Sequence, residues 1–136
     1  MIRQYSLVKD GDRRLAPDFK VRELRCRDGT DTVMVDDALM LLLQCIREHF
    51  GKTVAITSGY RTPAHNAKVG GSKSSQHLLG RAADIQVAGT SVEDVAAYAE
   101  RLMPDWGGIG RYPLKAGRAA GWVHVDTRQN KSRWTL

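Results

Sequence analysis

The chain has 136 residues, 42% hydrophobic and 26% charged, values typical of one ordinary domain able to bury a core without staples. This balance excludes wholesale disorder, and the longest apolar run, residues 38–43, is far too short to span a bilayer. The net charge of +6 attracts any polyanion, whether nucleic acid, anionic lipid or bacterial wall. With no recognition-helix pattern, RNP-type aromatic strand or G-x-x-x-x-G-K loop, nucleic acid is not an expected partner.

Residues 1–18 are polar and weakly patterned, and the weak patterning continues to about residue 35, with Phe19, Val21 and Leu24 as points of anchorage. The first ten residues have no apolar core followed by small residues, so no signal peptide is expected. Asp36 or Asp37 then caps a helix running to about Phe50, with Leu39, Leu42, Leu43, Ile46 and Phe50 on one face and Gly51 placed to stop it. Cys26 and Cys45 stand too far apart for a C-x-x-C pair. A cysteine knuckle is therefore excluded, and both are expected as plain reduced residues, Cys45 on the apolar side of the helix. His49, near the helix C-terminus, complements its dipole.

Residues 52–57 alternate and are rich in β-branched side chains, the pattern of a strand. The turn Ser58-Gly59-Tyr60-Arg61-Thr62-Pro63 leads into a short helix over 64–68 that ends at Gly70-Gly71, with His65 a hydrogen-bonding residue beside the turn. A second strand spans 82–87, with Asp84 and Gln86 on one face and Ala83, Ile85 and Val87 on the other. Ser91 and Asp94 make a capping-box-like start to a helix whose inward stripe is Val92, Val95, Ala96, Ala99 and Leu102, with Pro104 just beyond it. Residues 108–112 and 122–127 are the last strand candidates. In the latter Val123 and Val125 take the buried side, so Trp122, His124 and Asp126 face together. The whole predicts one α+β domain over 1–136, a small and mostly antiparallel sheet with helices packed on one side.

The chemistry concentrates in Ser75-Gln76-His77-Leu78-Leu79-Gly80-Arg81-Ala82-Ala83-Asp84 and in Trp122-Val123-His124-Val125-Asp126. His77, Asp84 and His124 would supply three protein ligands to a divalent ion and leave one position open for water, the mark of a catalytic rather than a structural site. Gly80 permits the reversal that brings a loop imidazole and a strand carboxylate toward one ion, and His124 must arrive from a neighbouring strand. An N/N/O donor set suits zinc, and iron(II) uses the same donors. The same residues also have ordinary readings: Asp84 as a turn cap, His77 as a solvated loop residue, His124 as a half-buried strand residue.

Together with Ser58-Gly59-Tyr60-Arg61, Asn66, Val69-Gly70-Gly71 and Gly108-Ile109-Gly110-x-Tyr112-Pro113, these segments resemble the zinc D-Ala-D-Ala carboxypeptidase family, which also takes in murein endopeptidases and phage endolysins. The resemblance covers about residues 19–134. It implies a zinc-dependent hydrolase acting on peptide bonds of peptidoglycan stem peptides or cross-links, often bonds involving D-alanine. It puts Zn2+ on His77, Asp84 and His124, Arg61 on the scissile carbonyl or a substrate carboxylate, and Ser75 against substrate. The protein is further expected to be a monomer and, with no signal peptide, to be made in the cytoplasm; the resemblance implies action at the bacterial cell wall, as a phage or prophage lysin or a bacterial enzyme.

One departure stands out. Several members of that family carry an acidic general base three residues before the last histidine ligand, where this chain has Gly121. Lysostaphin-type peptidases place a histidine two residues before it, where this chain has Trp122. Asp126 is the nearest carboxylate, with two roles open to it: general base, or a partner that orients His124. The missing base also leaves room for a second function, a non-catalytic, metal-containing wall-binding or phage structural module.

Overall fold

Alternation of side chains along three central segments builds the sheet that carries everything else. In the computed structural model, which describes residues 1–136, the chain begins with β1 (Ile2–Ser6), a single helical turn α1 (Leu7–Asp10), and the short strands β2 (Arg14–Ala16) and β3 (Phe19–Lys20). A 3₁₀ turn, Val21–Leu24, leads to β4 (Thr32–Asp36). Then come α2 (Asp37–Phe50), β5 (Val54–Ser58), α3 (Pro63–Lys68), a 3₁₀ turn Gln76–Leu79, β6 (Ala82–Val87) and α4 (Val92–Leu102). Strands β7 (Gly108–Tyr112), β8 (Trp122–Asp126) and β9 (Ser132–Thr135) complete the chain. No helix is long and apolar enough to cross a membrane.

The main sheet has the order β5-β6-β8-β7-β9, antiparallel except for the parallel β7/β9 pair. Ala83, Ile85, Ile109, Val123 and Val125 are fully buried on one face, where α2 and α4 cover them. Helix α2 is set by its ends. Asp36 accepts from the Ala38 N–H and Gly51 stops it in the left-handed conformation, a cap worth about 1 kcal/mol. Leu39, Leu42, Leu43 and Ile46 face the core. In α4 the Ser91 hydroxyl accepts from the Asp94 N–H, and the small residues Ala96 and Ala99 let the helix lie close on the sheet. All of this follows the sequence pattern, and the fold is α+β as predicted.

Four features differ from the sequence expectation. The first thirty-five residues are not loosely patterned chain. β1 and β4 form an antiparallel ribbon, and β2 and β3 a second one. Their strands are too short or too exposed on one side for period-2 hydrophobicity to show. Phe19, Val21 and Leu24 are nevertheless the buried anchors. Polar β9 was also hidden, because an edge strand needs little apolar surface. The predicted strand over 52–57 begins at Val54 and runs to Ser58. Cys45 is exposed and not on the apolar side of α2, since at about 3.6 residues per turn it falls to the side of the Leu39–Leu42–Leu43–Ile46 stripe; Cys26 is the buried thiol, and both are free.

The ribbon supports the turn that carries His77. The Asp36 N–H donates to the Gly80 carbonyl, the Thr127 hydroxyl donates to Asp36, and Gly80 sits at φ +73° against the Met34 backbone. A Cβ at position 80 would collide with the Met34 carbonyl. Gly80→Ala is expected to lose at least ~1–2 kcal/mol from the left-handed backbone alone, and more from the collision, read as a lower urea midpoint with an unchanged m-value.

Candidate metal centre

A single row of residues crosses the main sheet. Register pairs Ser58 with Asp84, Asp84 with His124, His124 with Gly110 and Gly110 with Trp134. Because side chains alternate, those of Ser58, Asp84, His124 and Trp134 point to the face opposite α2 and α4, with the bare Gly110 between the last two. His77 arrives over this row from the 3₁₀ turn, where the Ser75 hydroxyl caps its backbone N–H. The metal-ligating atoms of His77, Asp84 and His124 all lie within 4.8 Å of one another. Asp84 Oδ1 is 3.3 Å from His77 Nε2 and 3.0 Å from His124 Nδ1.

The opposite nitrogen of each imidazole is occupied. His77 Nδ1 donates to the Gly59 carbonyl at 2.7 Å, and His124 Nε2 lies 2.7 Å from Asp126 Oδ2. These partners fix ring orientation and leave His77 Nε2 and His124 Nδ1 facing the carboxylate, the arrangement that ligating histidines require. The two imidazoles and Asp84 therefore fit a divalent cation with N/N/O donors.

Asp126 is fully buried. Besides His124, it accepts from the Gly108 N–H and from the backbone and guanidinium of Arg128, whose Nε and Nη2 grip both its oxygens. With that many donors and no exposed surface, its position suits orientation of His124 and not contact with a water in the cleft. Burial works against charge on this carboxylate, but His124 and Arg128 outweigh it and hold its pKa well below the usual range. Asp84 behaves alike: burial opposes ionisation, and His124 and His77 overcome it. Burial also disfavours the His124 imidazolium, yet Asp126 and Asp84 more than compensate and raise its pKa.

The centre floors a cleft of about 580 Å³ whose rim includes Arg61, Ser75, Tyr112, Trp122 and Trp134. Arg61 donates to Ser58, to Asn66 at 3.3 Å and to Asp84 Oδ2 at 3.4 Å; buried Asn66 in turn donates to the Ser72 carbonyl, bracing the Gly70-Gly71 loop. Trp134 stands 5.1 Å from the His124 ring and donates to the Tyr112 hydroxyl, and Tyr112 stacks on Trp122. A larger groove of about 880 Å³ adjoins the cleft at Gln76, Arg128 and Ser132. It contains no cluster of ligating groups, so the chemistry belongs to the smaller cleft.

Sequence reasoning singled out Arg61, Ser75, His77, Asp84, His124 and Asp126, and all of them meet at this face of the sheet. It missed Trp134, which lies on the unrecognised β9, and Arg128, whose signal was its place two residues beyond Asp126 at a strand end. Gly108 and Gly110 also gain a reason: a Cβ at 108 would enter the Asp126 carboxylate, and one at 110 the Trp134 indole. His65 does not line the cleft, and His49 stacks on Tyr98.

The comparisons with known proteins agree with this geometry. A family model described as peptidase M15 matches residues 17–126. The chain belongs to the peptidase M15 family. Peptidases of this family are metallopeptidases, and the His77, Asp84 and His124 cluster is a possible metal site within the matched residues. The probable peptidoglycan L,D-endopeptidase MepK of Haemophilus influenzae is 34% identical over 79 residues, a match covering 54% of this chain and 39% of that protein. The chain thus spans about two fifths of its relative's length.

Three outcomes follow for the M15 site. Asp126→Asn is expected to weaken metal affinity ~10–100-fold with the fold retained, measured by chelator competition alongside circular dichroism. Proton linkage has opposite signs for the acids and the imidazole. The raised His124 pKa stabilises the chelator-treated protein below about pH 6.5, a contribution lost as pH climbs through the raised value. The lowered Asp84 and Asp126 pKa values stabilise it above about pH 4, a contribution lost as pH falls through the lowered values. Its melting temperature should therefore peak between these limits. A cation at Nδ1 displaces the His124 proton, so metal affinity should tighten by about tenfold per pH unit until the imidazole is neutral.

Proposed function

We propose that this protein is a zinc-dependent peptidase that cleaves peptide bonds in peptidoglycan stem peptides or cross-links at the bacterial cell wall. The observation that carries the reading is the convergence of two oriented imidazoles and one carboxylate within 4.8 Å, beside an arginine in an open cleft, in a chain of the peptidase M15 family. The wall substrate rests on the relative's name and on the sequence motifs. The +6 charge suits the anionic wall.

His77 Nε2, Asp84 and His124 Nδ1 would hold the ion. When bound, such an ion lowers the pKa of its water toward roughly 7 and polarises a carbonyl oxygen. The protein's own groups do the remainder. Arg61 stands beside Asp84, where its guanidinium stabilises the negative charge that develops on the scissile carbonyl. Trp122, Trp134 and Tyr112 wall the cleft with aromatic surface and narrow the approach of water. Ser75 lies on the cleft rim within reach of a substrate backbone. Asp126, locked by Arg128, keeps the His124 ring turned with Nδ1 toward Asp84.

Asp84 is the one carboxylate side chain lining the cleft. This observation favours the second reading, a metal-containing wall-binding module without turnover, and the same experiment decides between the two. Purified peptidoglycan is digested with the protein, with and without chelator, and the muropeptides are analysed by mass spectrometry. New fragments that disappear with chelator establish the peptidase, and their masses report whether a D-alanine bond or an L,D bond is cut. Wall binding with no fragments establishes the module. His77→Ala and His124→Ala are each expected to abolish zinc retention and fragment release while the circular dichroism spectrum is kept; full activity in either would overturn the assignment.

A further inference from the structure

A second group of metal-ligating atoms lies outside the cleft. Cys26 Sγ, an Asp28 carboxylate oxygen and a His65 ring nitrogen also fall within 4.8 Å of one another. They come from two separate segments: the turn after the Val21–Leu24 3₁₀ turn, and the first turn of α3. Cys26 is buried, His65 half-buried and Asp28 exposed. The group therefore has a closed sulfur end and an open oxygen end through which an ion could enter.

Thr62 ties the three together. Its backbone N–H points at Cys26 Sγ from 3.5 Å, the kind of donor that steadies a thiolate. Its hydroxyl donates to Asp28 Oδ2 at 2.9 Å and accepts from the His65 N–H at 3.2 Å. The other Asp28 oxygen accepts from the Thr30 N–H. Cys26 and Asp28 are thus oriented by neighbours that are not themselves ligands, the kind of support metal sites use, while Thr62 fixes the backbone of His65 at the start of α3. Sulfur, imidazole nitrogen and carboxylate oxygen together are the donor set of borderline-soft divalent cations, and unsuited to calcium or magnesium.

We propose that Cys26, Asp28 and His65 bind a second divalent cation of the zinc or cobalt class, separate from the His77, Asp84 and His124 site. The two sites share no ligand, and the Ser58–Thr62 turn lies between them. That turn already leans on the Leu24 backbone through Gly59 and Tyr60, and the Arg61 N–H donates to the His77 carbonyl. An ion joining residues 26–28 to α3 would clamp the turn that presents Arg61. A lone cysteine with no C-x-x-C partner conceals such a site in the sequence, because its other ligands come from a distant segment.

Cobalt(II) titration of the metal-stripped full chain tests this directly. A thiolate ligand gives a near-ultraviolet charge-transfer band, and the His77, Asp84 and His124 site has no sulfur to produce one. The expected result is two cobalt equivalents per chain, one of them carrying the band. Cys26→Ser should lose the band and one equivalent while keeping the other. His65→Ala, at a half-exposed position, should also lose that equivalent, and it serves as the deciding variant if Cys26→Ser fails to fold. A single equivalent without a sulfur band would overturn the proposal. So would a band that persists in Cys26→Ser, which would place the metal on the exposed Cys45, or an unchanged spectrum and stoichiometry in His65→Ala.

Discussion

Strand register is the constraint on which the rest of the structure depends. Ser58, Asp84, His124, Gly110 and Trp134 occupy one row across five strands. The row behind it holds Ala82, Asp126, Gly108 and Ser132. A slip of one residue in β8 would turn His124 and Asp126 into the core and expose Val123 and Val125. The hydrophobic effect therefore aims the polar centre as well as filling the core. The force holding Val123 and Val125 under α4 is the same one that presents His124 to Asp84.

Electrostatics then acts on this fixed geometry. Four ionisable groups, Asp84, His124, Asp126 and Arg128, form a short line of alternating charge at or near the sheet surface. Buried charges of this kind are tolerated only when every member is paired. Arg128 provides the outermost pairing, with its guanidinium gripping Asp126 and lying 5.4 Å from the Trp134 ring centre. It is also the most exposed member, whereas Asp126 beside it is fully enclosed and the other end of the line, Asp84, opens on the cleft. Such an arrangement suits a site that must take up a cation without rearranging, because the ligand-facing atoms are already oriented before anything binds.

What could be read from the sequence was what repeats or what is chemically rare. α2 and α4 announced themselves through helical stripes and caps, and β6 and β8 through alternation. His77, Asp84 and His124 stood out because a turn imidazole and two residues on the polar side of strands make an N/N/O ligand set, which the family resemblance favoured over their ordinary readings. What stayed hidden was decided by partners distant in the chain. Trp134 belongs to a polar edge strand, recognisable only beside β7. The role of Asp126 could not be chosen from sequence, since base and orienting partner share the same spacing; its enclosure by Gly108 and Arg128 is a tertiary fact. Cys45 was misplaced for a simpler reason. It lies about 100° round the helix from its neighbour Ile46, beyond the edge of the Leu39, Leu42, Leu43 and Ile46 stripe, and is solvent-exposed.

The N-terminal third shows how a segment without clear pattern can still be essential to the site. Two small ribbons could not stand alone, and each buries one side against the body of the molecule. Their contribution reaches the metal centre through Gly80. Met34 and Val35 press on this glycine from the ribbon, and the Asp36 N–H holds its carbonyl. His77 lies three residues earlier on the same turn and cannot shift without disturbing that contact. On its other side His77 is held through Gly59, which packs against Leu24 of the same N-terminal third. The loop imidazole is thus clamped from two directions by chain that contributes no ligand to the cleft, which explains how a loop residue matches the positional precision of one on a central strand.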